Sequence, residues 1–171
     1  MARDRQRWTA AEVEIATEAY QTAQTQFDDY REQVRQVVRE FSAPGISEEN
    51  LQRMRDGAMQ QIDGWPPVPP DKVNDVRGAQ MLMFDGVYSS LETTRNEIYR
   101  AQADAQRAAD MNSDLPVEVK AAAFDRRSEE LAALLEQPVL SPEANERAGN
   151  ALAPPDQQLY DYVGVDPATA A

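Results

Sequence analysis

The sequence predicts an all-α fold: an elongated helical bundle with two long antiparallel helices, about three shorter helices and an extended C-terminal arm. Apolar or aromatic side chains recur at alternating spacings of three and four over residues 13–41, and again over residues 84–108. Proline, glycine and serine separate these segments, and no hairpin signal or alternating strand pattern interrupts them. Such spacing keeps one face of each helix towards a neighbouring helix.

The first long helix is predicted from Thr9 to about Phe41. Thr9 and Glu12 form a capping-box pattern, and Ser42-Ala43-Pro44-Gly45 ends the helix. Its apolar stripe consists of Val13, Ala16, Tyr20, Ala23, Phe27, Tyr30, Val34, Val37 and Phe41. Aromatic residues occupy this stripe and mostly neutral residues flank it, which favours a broad buried face in a bundle over a two-stranded zipper.

A shorter helix is predicted next, beginning after Ser47 and ending near Gly64. It leads into a proline-rich elbow at residues 64–70, where four prolines in six residues exclude a helix and favour an extended connector. Trp65 lies in this elbow. Its indole is predicted either to anchor another protein or to fold back onto the end of its own bundle.

The second long helix is predicted from a cap at Asp71 to about Met111. Its stripe consists of Phe84, Val87, Leu91, Thr94, Ile98, Ala101, Ala105 and Ala108. Residues 81–84 are apolar on all sides of the helix, which predicts that this level is enclosed by several neighbours. A fourth helix is expected from about Pro116 to Glu136, and a short fifth one after Ser141.

These segments indicate one helical bundle domain over residues 1–152, followed by an extended arm over residues 153–171. Prolines and a glycine oppose helix in the arm, yet it carries five large apolar or aromatic residues, which are Leu159, Tyr160, Tyr162, Val163 and Val165. Such residues are too few for a core and too many for a solubilising tail. Together with Trp65 they are the predicted partner-binding residues, and the arm is expected to become ordered only on another subunit.

The charge distribution disfavours nucleic acid as the main ligand. The net charge is −13, and residues 113–171 hold 11 of the 30 acidic side chains but only 4 of the 17 basic ones. Such a surface repels phosphate backbones. Arg3, Arg5 and Arg7 form a short basic start that could touch phosphate locally, although a solvated terminus is the preferred interpretation.

The composition also excludes most catalytic chemistry. The chain contains no histidine and no cysteine, so it cannot form a Ser-His-Asp triad, a histidine general base, a thiol nucleophile or a disulfide. Asp110-Met-Asn-Ser-Asp114 imitates the start of a calcium loop, but Leu115 and Ala121 stand where that loop requires glycine and glutamate. We therefore predict no catalytic residues, no cofactor, no metal and no small-molecule substrate.

These exclusions and the long helices together predict a non-enzymatic structural or assembly subunit. Its expected partners are other protein subunits, in a homo-oligomer or a hetero-assembly, and a phage or virion component is the leading hypothesis. The sequence shows neither a signal peptide nor a run of the roughly 20 apolar residues needed to cross a membrane. It is therefore expected to be a soluble protein without a membrane partner.

An alternative comes from the segment Tyr162-Val-Gly-Val-Asp166. A tyrosine followed four residues later by an acid, in a helical hairpin with a tryptophan in its turn, resembles the substrates of type VII secretion. This resemblance implies a secreted helical-hairpin protein. The turn departs from the family pattern, because Trp65 is followed by Pro66-Pro67 where the pattern has a glycine two places on.

Overall fold

The computed structural model describes residues 9–159 and confirms the all-α class: helices and connecting turns, without strands, make up this part of the chain. Its α-helices are α1 (Ala10–Arg39), α2 (Glu48–Asp63), α3 (Val76–Met111), α4 (Val117–Glu136) and α5 (Pro142–Asn150). A 3-10 turn at Pro70–Lys72 precedes α3. Arg3, Arg5 and Arg7 lie outside the described residues.

The predicted caps hold at the starts of α1, α2 and α5. At α1 the Thr9 hydroxyl accepts a hydrogen bond from the Glu12 amide at 3.1 Å, and the Glu12 carboxylate accepts one from the Thr9 amide at 2.7 Å. Ser47 and Ser141 accept from the backbone amides of Asn50 and Ala144 in the same way. These local bonds satisfy amides that have no partner inside the helix, so each start is encoded by the residues around it.

The predicted cap of α3 at Asp71 is wrong, because Asp75 performs this role. Two tight backbone bonds, from Lys72 to Pro69 and from Asp75 to Lys72, first turn the chain out of the elbow. Asp71 lies within that turn, whereas the Asp75 carboxylate accepts from the Gly78 amide at 3.2 Å. A β-carbon at Gly78 would lie 2.6 Å from the Asp75 carboxylate oxygens, so glycine makes room for the cap.

The two long helices run parallel, which corrects the predicted antiparallel arrangement. Near the start of α3 the Gln80 side chain donates to the Gln26 carbonyl of α1. Farther along α3, the Tyr99 hydroxyl donates at 2.7 Å to the carbonyl of Pro44, which lies beyond the end of α1. The physical reason is α2, which runs back beside α1 as far as Arg35; the elbow then continues to the level of Gln24, in the middle of α1. A helix after such a return must run in the direction of α1.

The buried face of α1 confirms the predicted stripe. Phe27, Tyr30, Val34 and Val37 are almost completely buried, while Tyr20 is partly buried against the same core. Ala16, Ala19 and Ala23 continue this face towards the start of the helix. Residues of α2, α3 and α5 pack on it from three directions, so α1 is the central helix of the bundle.

The predicted stripe of α3 is wrong beyond Leu91. The buried residues recur every four positions there, at Leu91, Arg95, Tyr99 and Ala103. The residues predicted in their place are exposed or, for Ile98, only partly buried; they are Thr94, Ile98, Ala101, Ala105 and Ala108. The prediction failed because it counted only apolar positions and so passed over an arginine whose guanidinium is accommodated inside the fold.

Residues 81–84 are also not enclosed as predicted. Met83 and Phe84 pack against the core, whereas Met81 is half-exposed and Leu82 is 68% exposed. The neighbouring elements therefore cover the side of α3 that carries Met83 and Phe84 and leave the side that carries Leu82 open. An apolar surface therefore remains uncovered among the described residues.

The first part of the C-terminal arm lies on its own bundle, contrary to the expectation that only a partner would order it. The backbone amide of Ala153 donates to the Gln80 side chain at 2.8 Å, and Arg77 donates to the Ala153 carbonyl at 3.1 Å. Farther along, the Leu159 amide donates to the Asn74 side chain at 2.8 Å. Polar side chains on the first turns of α3 and just before it thus hold residues 153–159, which the apolar content of the arm did not predict.

Candidate interaction surfaces

Trp65 lies inside its own chain, which is one of the two alternatives predicted for it. It is 6% exposed, and its ring stacks on Tyr30 with centroids 6.4 Å apart and meets the Phe27 ring at 5.9 Å. Arg31 donates to the Trp65 carbonyl at 3.1 Å. The indole closes the space between α1 and the end of α2, so little of its surface is left for another protein to contact.

The phenol next to Trp65 is not tuned for acid–base chemistry near neutral pH. Burial raises the pKa of Tyr30 far above its usual value of 10.0, and the nearby Asp85 carboxylate raises it further. Both effects disfavour the phenolate. The Tyr30 hydroxyl therefore stays protonated at neutral pH, and this aromatic cluster provides packing.

A groove lies on the outer side of the proline-rich elbow, between the elbow and the start of α3. Its volume is about 410 Å³. We call it the elbow groove and define it by Phe27, Pro66, Pro67, Pro69, Leu82 and Met83. Lys72 and Asp75 are the charged residues of its lining. The groove is thus largely apolar and open to solvent, and its two charged lining residues have opposite signs.

Two glutamines on facing helices fix the walls of the elbow groove. The Val68 amide donates to the Gln24 side chain at 2.9 Å, which holds the elbow on α1. Gln80 is completely buried and connects the Gln26 carbonyl to the Ala153 amide. Because these polar groups are paired, the elbow is held at a defined distance from α3 without filling the groove.

Leu159 ends the described chain beside this groove. Its amide binds Asn74, which lies between the groove residues Lys72 and Asp75 in sequence. The structure thus brings the predicted residues Trp65 and Leu159 to the same core cluster, against which Leu159 packs. The predicted partner-binding residues Tyr160, Tyr162, Val163 and Val165 lie outside the described residues.

A second uncovered surface lies on the hairpin formed by α3 and α4. Its exposed large apolar residues are Met111, Leu115, Val117, Val119 and Phe124, which we call the hairpin surface. Val117 is 77% exposed, and the Arg107 guanidinium covers one face of the Phe124 ring at 5.2 Å. The sequence reasoning assigned no contact to these residues, although Leu115-Pro-Val-Glu-Val119 could have signalled an apolar helix start.

The acidic turn next to the hairpin surface is held by arginine and lysine. Arg127 pairs with Asp110 at 3.2 Å, and Lys120 donates to the Met111 carbonyl at 2.9 Å. Over residues 9–159, the Asp and Glu side chains do not gather into any group of three that could hold a metal ion.

The arginines on the outer side of α1 are engaged within the chain. Arg35 pairs with Asp63 of α2 at 2.7 Å and with Glu32 at 3.2 Å, and Arg39 pairs with Glu32 at 3.2 Å. Hydrogen bonds from Arg39 and Arg35 lower the pKa of the Glu32 carboxyl below its usual value. This cluster is solvated and internally neutralised, so it is a weaker candidate for partner binding than the two apolar surfaces.

Compared with protein-family models, curated proteins and solved structures, the chain shows no significant match to any of them. Within residues 9–159, no helix combines the length and the apolar character that crossing a bilayer requires. The candidate sites therefore rest on the geometry of this chain alone.

Proposed function

We propose that this chain is a non-enzymatic assembly subunit that joins copies of itself or sister proteins in a larger particle, with a phage or virion component as the leading candidate. The observation that carries the proposal is the hairpin surface. Large apolar side chains clustered at the end of a hairpin favour burial, because each Å² removed from water contributes about 25 cal/mol. Contiguous exposed apolar patches commonly mark protein contacts.

The position of the hairpin supports this role. Gln102 is the last residue of α3 with a described hydrogen bond to the α1–α2 loop, where its side chain donates to Gly45 at 3.0 Å. The following turns of α3, up to Met111, extend about 13 Å farther at 1.5 Å per residue. Arg107 and Asp110 bind residues of α4 there, so α4 accompanies this extension. The apolar end is thus presented away from the helices that form the core.

The first half of α4 has few apolar contacts within the chain. Ala123 is its only fully buried residue, while Val117, Val119 and Phe124 are exposed on two sides of the helix. A helix with apolar residues on several sides needs more than one neighbour, and α3 supplies one. A helix from another subunit is a suitable second neighbour, because the hairpin surface then lies in a helix–helix interface.

The test is the native mass of the purified chain over a range of concentrations, by light scattering or sedimentation. We expect a discrete assembly for the native sequence and a shift towards monomer for the double variant Val117→Asp and Phe124→Asp. The matched control is Ile15→Asp, which changes an exposed apolar residue of α1. A native chain that stays monomeric at every concentration and with its co-purifying proteins contradicts the proposal.

A secreted helical protein resembling type VII substrates is the second candidate. The position of Trp65 in the connector between α2 and α3 is the observation that favours it. It predicts export of the chain to the culture medium, with loss of export when Tyr162 and Asp166 are both changed to alanine. Retention of the intact chain inside the producing cells contradicts this alternative.

A further inference from the structure

We propose that the elbow groove is the docking site for this chain's own residues 160–165, Tyr-Asp-Tyr-Val-Gly-Val. The groove is apolar and open, the described chain ends beside it, and Lys72 of its lining offers a partner for the acid of the segment. These three observations concern the opposite part of the bundle from the hairpin surface. The inference is therefore independent of the proposed assembly role.

The first observation is that the groove offers apolar surface without a partner among residues 9–159. The rings of Pro66, Pro67 and Pro69 form one wall, and Leu82 and Met83 of α3 form the other. Leu82 extends from this wall and is 68% exposed. Covering it with valine and tyrosine side chains removes apolar surface of both partners from water, which favours docking.

The second observation is the place where the described chain ends. The Leu159 amide is fixed to Asn74, whose neighbours Lys72 and Asp75 both line the groove. Six extended residues span about 20 Å, which is enough to follow the groove from that point. A short tether gives an effective concentration in the millimolar range. This favours the chain's own segment over the same segment of a second copy.

The third observation is charge. Asp161 lies within the segment and Asp166 follows it, while Lys72 is the basic residue of the groove. The other charged residue there, Asp75, is engaged as the cap of α3, since its carboxylate accepts from the Gly78 amide. Lys72 can therefore form an ion pair with Asp161, while the Asp75 carboxylate keeps its charge and is stabilised by the start of α3.

The proline wall also specifies how the segment binds. Prolines have no amide hydrogen, so the elbow cannot extend a β-ladder with an incoming strand. Side-chain contacts remain, and tyrosine rings pack well on proline rings, as in the recognition of proline-rich peptides by aromatic grooves. We therefore assign the contacts to the side chains of Tyr160, Tyr162, Val163 and Val165.

The test uses the absence of cysteine in the native chain. The full-length variant with Leu82→Cys and Val163→Cys is treated with a short bis-maleimide and separated by mass under denaturing conditions. We expect an internally crosslinked monomer. The matched control is Val117→Cys with Val163→Cys, which joins the segment to the hairpin surface and should give no such product. Absence of the internal crosslink in the first pair, or linked dimers alone, overturns the proposal.

A second measurement does not depend on crosslinking. Chymotrypsin cleaves after tyrosine, so cleavage at Tyr160 and Tyr162 should be faster in the full-length variant Leu82→Asp than in the native chain. Val117→Asp serves as the control and should cleave at the native rate. Leu82 is exposed, so its substitution leaves the core intact. Equal cleavage rates in all three proteins contradict docking. A change of native mass that only Val117→Asp causes tests the assembly proposal and not the docking of this segment.

Discussion

The guanidinium of Arg95 donates a hydrogen bond to the carbonyl oxygen of Gln137 at 2.8 Å, and this contact ties the middle of α3 to the end of α4. Arg95 is 3% exposed, and its other described hydrogen bonds go to the side-chain oxygen of Asn96. Its charge also lies 5.8 Å from the centre of the Tyr99 ring. The carbonyl end of α4 carries partial negative charge, which helps to stabilise a cation there.

Replacing Arg95 with methionine is expected to lower the free energy of unfolding by about 1–3 kcal/mol, because the Gln137 carbonyl then loses its charged donor inside the protein. Urea denaturation measures the change. Arg100→Met, at an exposed position of the same helix, is the control and should change stability by less than about 0.5 kcal/mol. Equal effects of the two substitutions would show that the buried arginine contributes nothing specific.

Truncating Phe27 to alanine is expected to cost about 3–5 kcal/mol of stability. The Phe27 ring is almost fully buried and contacts Trp65, so its loss leaves a cavity between α1 and the elbow. Ile15→Ala removes an exposed side chain from the same helix and serves as the control. A loss below about 1 kcal/mol for Phe27→Ala in denaturant titration would indicate that this site collapses freely.

Stability should fall at alkaline pH through Tyr30. Its folded pKa is raised by burial, while the unfolded chain titrates near 10.0, so the stability that the neutral phenol provides is complete below pH 10 and decreases above it. The variant Tyr30→Phe should show a shallower decline in melting temperature between pH 9 and pH 11. Part of the decline should remain, because burial also raises the pKa of Tyr99. Identical slopes for the two proteins would contradict this account.

Two glycine substitutions should have opposite effects. A β-carbon at position 78 meets the Asp75 carboxylate at 2.6 Å, so Gly78→Ala should displace the cap and destabilise the protein by about 0.5–2 kcal/mol. At Gly57, in the interior of α2, no neighbour lies within 4 Å of such a carbon. Gly57→Ala should therefore stabilise by about 0.5–1 kcal/mol. Thermal denaturation of both variants tests the pair, and the same sign for both would refute the role of Asp75.

The sequence predicts local features of this fold well and global ones poorly. The starts of α1, α2 and α5 are correct because Thr9, Ser47 and Ser141 act within their own first turns. The predicted direction of α3 relative to α1 is wrong. The direction depends on how far the chain runs back along α1 before α3 begins, and the residue pattern of α3 does not indicate this. The burial of Arg95 likewise depends on the end of α4, which lies 42 residues away.

The candidate surfaces also divide into features that the local sequence predicts and features that depend on the packing of distant segments. The sequence predicts Trp65 as a contact residue because a tryptophan among prolines is unusual, and the structure shows which surface of its own chain it contacts. The sequence does not distinguish Val117, Val119 and Phe124 from core residues, because an apolar residue in a predicted helix is normally assigned to the core. Whether such a residue is covered depends on which helices lie beside it, and α4 has α3 as its main neighbour.

The attachment of α5 and residues 153–159 to α1 has a consequence for synthesis of the chain. Gln157 bonds to Gln26 across a sequence separation of 131 residues, and Arg147 binds Glu40 across 107. While the ribosome makes the chain, α1 therefore emerges long before α5 and residues 153–159 are present to cover its outer side. The α3–α4 hairpin needs only nearby residues and can form earlier. A chain released before α5 would leave part of α1 bare, and such an incomplete product is a natural target for chaperones and proteases.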